Sequence, residues 1–326
     1  MLTLTRNGIY CKKGNFYIDP IRPVKNAIIT HGHADHARWG MEKYYATPAT
    51  CAIMKIRLGK DITCHELNFH DEIKLGKVNI KLIPAGHILG SAQVVIEDES
   101  KKAIITGDFK TDPDATVESF ETEPCDLLVM ETTFALPIYN WIESKEIFSS
   151  IHEFWQTNQK KGYHTVLYAY SLGKAQRILN SLNQEQGPIA IHSAIEKMNQ
   201  IYVNKKRLEK NFPVFTNDEL NSWNKPGLII APPATIDSKW IKKCKKYKEA
   251  YISGWMTSKG QARRRNMRGF PLSDHADWKG LNYAVKKFNP SEVWTMHGST
   301  DIFAKHLNDQ GIKATSLSKL QLERSE

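Results

Sequence analysis

Short apolar runs separated by polar loops fill the first third of the chain, and residues 27–30, 78–83, 93–97, 103–106 and 127–130 each read as strands. One helical period, over residues 49–58, interrupts them. From about residue 141 the texture changes. Ile147, Ile151, Phe154 and Trp155 mark one face of a helix, after which strands (165–170, 189–192, 228–231, 250–253) alternate with helices (174–182, 195–206, 238–246). That alternation argues a parallel sheet flanked by helices. A helix at 278–288, a strand at 292–295 and a helix at 301–308 follow. The pattern predicts an α/β region inserted into an α+β one, with 1–140 and 270–326 forming the outer domain and 141–269 the insert.

Composition narrows the field. The chain has 326 residues, 41% hydrophobic and 25% charged, which suits two folded domains and excludes a disordered chain, a collagen-like repeat or a coiled-coil rod. Its 45 Lys and Arg against 35 Asp and Glu leave a net charge of +10, a balance that favours polyanionic partners such as nucleic acid. No apolar run is long enough to span a bilayer, and Met1 to Tyr10 lacks a secretory-signal layout, so a cytoplasmic location is expected. Cys11, Cys51, Cys64, Cys125 and Cys244 are odd in number and form no CxxC pair, which predicts reduced, mostly buried thiols.

The strongest chemical signal is His31-Gly32-His33-Ala34-Asp35-His36, directly after the apolar run at 27–30. Imidazole and carboxylate together suit zinc and related divalent ions. One loop cannot wrap a single ion with all of these closely spaced side chains, but it can offer alternate residues to two neighbouring sites. The same device of a strand followed by a polar residue recurs at His87 in Pro84-Ala85-Gly86-His87, at Asp108 after Gly107, and at His297 in Met296-His297-Gly298. Each alone would pass for a turn or a structural histidine; their recurrence carries the argument. The glycines beside them let the backbone turn sharply near an ion.

These residues resemble the metallo-β-lactamase family, whose fold is a four-layer αββα sandwich with a dinuclear metal site at one sheet edge. More narrowly, Glu131 after the run at 127–130, the inserted α/β region, Ser273-Asp274-His275 and Met296-His297-Gly298 resemble the β-CASP nucleases, a group that includes DNA cross-link repair exonucleases, ribonuclease J and the pre-mRNA 3′-end endonuclease. Narrower still, Tyr10-Cys11, Phe16-Tyr17-Ile18-Asp19-Pro20, the stretch from Thr30 to Gly40, Leu172-Gly173-Lys174-Ala175-Gln176 and Ser253-Gly254-Trp255-Met256 are similar to bacterial ligase-associated DNA exonucleases. The resemblance implies two zinc ions, or manganese in their place. His31, His33 and His87 would hold one; Asp35, His36 and His297 the other; and Asp108 would bridge them. It also implies Asp19 as a support for a ligand imidazole, His275 as the general acid and Glu131 as its carboxylate partner. The partners it implies are DNA as substrate, with an ATP-dependent DNA ligase and a helicase acting alongside.

Further nucleic-acid contacts are expected from the basic run Lys259, Arg263, Arg264, Arg265 and Arg268, from Ser273, and from Ser171-Leu172-Gly173-Lys174, where a helix opens after a strand. Trp155, Trp240, Trp255 and Trp278 read mainly as core. A ribonuclease is the second reading, because several β-CASP DNA enzymes lack a histidine at the position of His297 whereas RNA enzymes usually keep it. Hydrolysis of a thioester or lactam explains neither the insert nor the positive charge, and a dead binding scaffold does not explain why every proposed ligand is present.

Overall fold

A computed structural model describes residues 1–258 and 267–318. The chain divides into two compact units, Met1–Asn140 with His275–Glu326, and Trp141–Asp274. Among the described residues the architecture is mixed α/β, with three sheets and seven α-helices.

The first unit holds two sheets. One is six-stranded, in the order β1 (Leu2–Thr5), β2 (Gly8–Cys11), β3 (Phe16–Ile18), β4 (Asn26–Ile28), β5 (Lys43–Ala46) and β6 (Cys64–Glu66). The other is seven-stranded and contains β7 (Glu72–Leu75), β8 (Val78–Pro84), β9 (Ala92–Glu97), β10 (Lys102–Ile105), β11 (Leu127–Thr132), β17 (Glu292–Gly298) and β18 (Lys313–Ser316), in the order β18-β17-β11-β10-β9-β8-β7. Because side chains alternate across a strand, β9 to β11 split their residues between two cores. Val94, Ile96, Ala103, Ile105 and Val129 join Leu4, Ile9, Phe16 and Ile28 in a core shared by both sheets. Val95, Ile104, Leu128 and Met130 point the other way, onto helices α6 (Trp278–Phe288) and α7 (Thr300–Asp309). Helix α1 (Pro48–Leu58) covers the outer face of the first sheet through Cys51 and Met54. Strands buried on both faces have no polar side, which explains why these segments read as unbroken apolar runs.

The second unit is built on an all-parallel five-stranded sheet. Its order is β13 (Ile189–Ile191), β14 (Leu228–Ala231), β12 (His164–Tyr168), β15 (Tyr247–Ile252) and β16 (Arg268–Phe270). Its helices are α2 (Ser144–Lys160), α3 (Lys174–Ser181), α4 (Ser193–Asn204) and α5 (Asn217–Ser222). No helix among the described residues is long and apolar enough to cross a membrane.

Two expectations need correction. The helix expected over 238–246 is only a 3-10 turn at Ile241–Lys243. Ile241 and Cys244 alone of that lysine-rich stretch are fully buried, and from Tyr247 the chain is drawn into parallel pairing with His164, so a longer helix has neither a face to bury nor room to continue. The cysteines are not all reduced: Cys51 and Cys64 form a disulfide with Cα atoms 6.0 Å apart. Strand β5 leads into α1 and the chain returns as β6 beside β5, which brings two cysteines separated by 13 residues face to face. Cys11, Cys125 and Cys244 are free and buried.

Alkylation of unfolded, unreduced protein is therefore expected to label Cys11, Cys125 and Cys244 alone, and all five cysteines only after reduction. Replacing both Cys51 and Cys64 by Ala is expected to lower the unfolding free energy by about 3 kcal/mol; an unchanged denaturation midpoint would show that the bridge contributes nothing.

Candidate metal centre

The loop after β4 owes its shape to Asp19. This residue adopts a positive φ of 42° at the end of β3, and its carboxylate accepts from the Thr30 amide at 2.8 Å, the Thr30 hydroxyl at 2.6 Å and His36 Nδ1 at 2.7 Å. A carboxylate only accepts, so Nδ1 of His36 carries the hydrogen and Nε2 is left for the site. Thr30, having given its hydroxyl hydrogen to Asp19, lies 3.1 Å from His31 Nδ1 and accepts from it, which leaves His31 Nε2 for the site as well. Helix α1 holds the same region from the other side: Arg57 donates to the Gly32 carbonyl at 2.6 Å, and Thr47 and Thr50 donate to the Gly90 carbonyl in the loop after His87.

The other strand ends deliver their residues by comparable means. Gly107 has φ 55°, and a Cβ there would stand 2.6 Å from the Thr30 side chain, so only glycine lets the Asp108 turn approach this closely. His297 sits on a register shift between β11 and β17, with φ 57°, and Thr132 donates to its carbonyl. An irregularity of this kind turns a side chain out of the ladder.

Donor atoms converge in two sets that share Asp108. His31, His33, His87 and Asp108 offer one ligand atom each, all within 4.8 Å of one another, and so do His36, Asp108 and His297. His33 Nδ1 lies 3.2 Å from His31 Nε2 and 3.0 Å from His87 Nε2. Asp108 Oδ2 is 3.5 Å from His31 Nε2 and 3.7 Å from His87 Nε2, while Oδ1 is 3.4 Å from His36 Nε2. Ligand atoms about 2.0–2.1 Å from a tetrahedral zinc lie roughly 3.3 Å apart, so these separations fit a divalent ion. Asp35, expected in the second set, stands at the exposed rim with Oδ2 3.8 Å from His36 Nε2, outside the tightest grouping.

The electrostatics match this burial. Burial, reinforced by the charge of His36, holds His31 well below its ordinary value. Burial also opposes protonation of His36, yet the Asp108 and Asp19 carboxylates outweigh it and hold that imidazole well above its ordinary value. Asp108 is buried too, and the charges of His36 and His275 keep it ionised far below the usual carboxylate range.

A third grouping joins Asp108, Glu131 and His275. His275 Nδ1 lies 2.8 and 2.9 Å from the two Glu131 oxygens, and Oε1 also accepts from the Phe109 amide at 2.9 Å. Glu131 is 1% exposed, and the His275 ring lies 4.6 Å from that of His87. The backbone supports the turn, since Ala276 N donates to Phe109 O.

The other expected residues fare differently. Lys174 is buried, with Nζ 3.2 Å from Asp274, and Arg177 brings a second cation to the same carboxylate at 3.6 Å. That pairing engages the ammonium a phosphate would need. Ser171 is half-buried and its carbonyl accepts from Gln176, while Ser273 is buried with its carbonyl taken by Arg177. Arg268 is exposed over the Phe270 ring. Lys259, Arg263, Arg264 and Arg265 lie outside the described residues. Thr30, Arg57, Thr47 and Thr50 were not singled out from sequence. Thr30 alone carried a signal there, as a polar residue closing an apolar run immediately before the histidine loop.

No family model matches the chain. It is 31% identical over 316 residues to a probable DNA ligase of Opitutus terrae, covering 96% of this chain but only 31% of that protein, so the chain spans about a third of that relative. An RNase J-like protein of Methanocaldococcus jannaschii is 22% identical over 347 residues, covering 85% of this chain and 82% of its own. Cleavage and polyadenylation specificity factor 73 of Drosophila melanogaster is 30% identical over 120 residues, 36% of this chain and 17% of the relative. The last two likenesses support the β-CASP resemblance of the motifs, and the histidine and aspartate clusters have the donor set of a metal-dependent hydrolase.

Ligand imidazoles must be neutral to bind a cation, so uptake displaces the proton of His36. Metal affinity, followed by competition with a chromophoric chelator, is expected to rise with pH through the raised titration of His36; a flat profile would contradict the assignment. Asp19→Asn is expected to weaken retention by about 10–100-fold at high pH, where His36 is neutral with or without the Asp19 charge.

Proposed function

We propose that the chain is a β-CASP nuclease on a metallo-β-lactamase fold, acting as a metal-dependent DNA exonuclease alongside an ATP-dependent DNA ligase. Met1–Asn140 with His275–Glu326 would be the metallo-β-lactamase part, and Trp141–Asp274 the inserted β-CASP part. The observation that carries the reading is the sharing of Asp108 between two donor sets, with the His275–Glu131 pair beside it. The layering of helix, sheet, sheet and helix in the first unit supports the fold. The ligase likeness supports the DNA assignment and the ligase link, while a helicase partner has no support among the relatives.

The residues fit two divalent cations, zinc or manganese. His31, His33 and His87 would hold one, His36, His297 and Asp35 the other, and Asp108 both. When bound, such a pair supplies an activated water at neutral pH and neutralises charge on a phosphodiester. Asp19 and Thr30 fix the tautomers and ring orientations of His36 and His31. Glu131 accepts from Nδ1 of His275, stabilises its imidazolium and leaves Nε2 as the nitrogen that gives a proton to the departing sugar oxygen. Holding Phe109 N with the same carboxylate, Glu131 also ties the acid to the Asp108 turn.

A second reading, a ribonuclease, is favoured by His297 within the second donor set and by the RNase J-like relative. Timed digestion of end-labelled DNA and RNA strands of matched sequence, with zinc or manganese added, separates the two. Progressive shortening of DNA is expected, and preferential cutting of RNA would favour the second. Asp108→Ala is expected to abolish metal retention and cleavage together. His275→Ala is expected to keep its metal while slowing cleavage by roughly 10²–10⁴-fold, and loss of metal in that variant would reassign His275 as a ligand.

A further inference from the structure

Trp39 is 73% exposed, the most exposed of the large hydrophobic residues in the described part of the chain. A tryptophan so placed leaves a large apolar face in water with no packing return, and such faces mark binding surfaces. Its position gives it a task. Trp39 lies three residues beyond His36, between the exposed Arg38 and Gly40, and Arg38 is anchored to the same loop by Nε donating to the Asp35 carbonyl at 3.2 Å.

A second exposed segment, Ile21-Arg22-Pro23, leaves the metal centre from Asp19, the residue bonded to His36. The two segments meet: a Cβ on Gly40 would stand 3.1 Å from the Pro23 side chain, and Glu42 N donates to Val24 O at 3.1 Å. The two segments that follow Asp19 and His36 in the chain therefore bring together one largely exposed indole and two exposed arginines. An aromatic face beside arginines is the equipment for holding a single strand, the ring stacking a base and the cations meeting phosphates.

We infer that Trp39, flanked by Arg22 and Arg38, is a stacking platform for a nucleobase of the strand whose phosphate enters the metal centre. This rests on the nuclease reading and adds to it where the strand lies and what part of it is gripped. Stacking takes any base and needs an unpaired one, so the surface selects a single-stranded segment over a duplex.

The test is binding of a fluorescent single-stranded DNA oligonucleotide to the full chain in chelator, where no cleavage occurs, compared with the same strand carrying abasic sites. Trp39→Ala is expected to weaken binding of the normal strand roughly 5- to 150-fold, the effect of one base–aromatic stack. Trp39→Phe should restore most of that loss, and the abasic strand should bind wild type and Trp39→Ala nearly alike. With metal restored, Trp39→Ala should raise KM far more than it lowers kcat. Equal binding of the normal strand by wild type and Trp39→Ala, or an equal loss on the abasic strand, would overturn the platform. If wild type nevertheless cleaves, the nuclease reading survives that result; a wild type that neither binds nor cleaves any strand removes both.

Discussion

A single buried carboxylate organises this molecule. Asp108 is 7% exposed, and a charge so far from water is tolerable only where cations or hydrogen-bond donors surround it. His31 and His36 answer that demand from the loop after β4, His87 from the loop after β8 and His275 from the turn before α6. The concentration of imidazoles around one carboxylate makes poor sense as packing, since like-charged rings repel when protonated. It makes good sense as a basin for divalent cations, toward which neutral imidazole nitrogens and a shared carboxylate turn their lone pairs.

The supports extend outward in consistent fashion. Asp19 and Thr30 settle tautomers, α1 pins the loops that carry His31 and His87, and Glu131 couples the Asp108 turn to His275. Asp19, Thr30, Asp108 and Glu131 each stand within three residues of a strand end. Rigid strand ends fix the positions of the donors, and tight, often glycine-assisted turns set how closely they approach. The exposed segments that bear Arg22 and Trp39 follow Asp19 and His36 directly in the chain, so a strand gripped there as inferred would be registered against the metal centre.

Much of this was legible in the amino-acid sequence because buried strands leave continuous apolar runs and the reactive residues follow them directly. The runs at β8 to β11 and β14 lie within a residue or two of the observed strands. The short strands β1 to β3, β5 to β7, β16 and β18 were not read, since three or four residues with one wet face carry little pattern. The pairing of Cys51 with Cys64 depended on the return of the chain beside β5, which no spacing rule encodes. Lys174 had the local appearance of a phosphate seat, and its burial against Asp274 follows from a contact a hundred residues along the chain. Asp35 stands at the exposed rim of the set in which its place in the motif puts it, with Oδ2 3.8 Å from His36 Nε2.

The most direct test of the central claim is X-ray anomalous scattering from crystals grown with zinc, read together with the metal content of the same preparation. Two peaks on either side of the Asp108 carboxylate, roughly 3.5–4 Å apart, are the expected result. A single ion remote from Asp108, or full catalytic activity in protein carrying no metal, would contradict it.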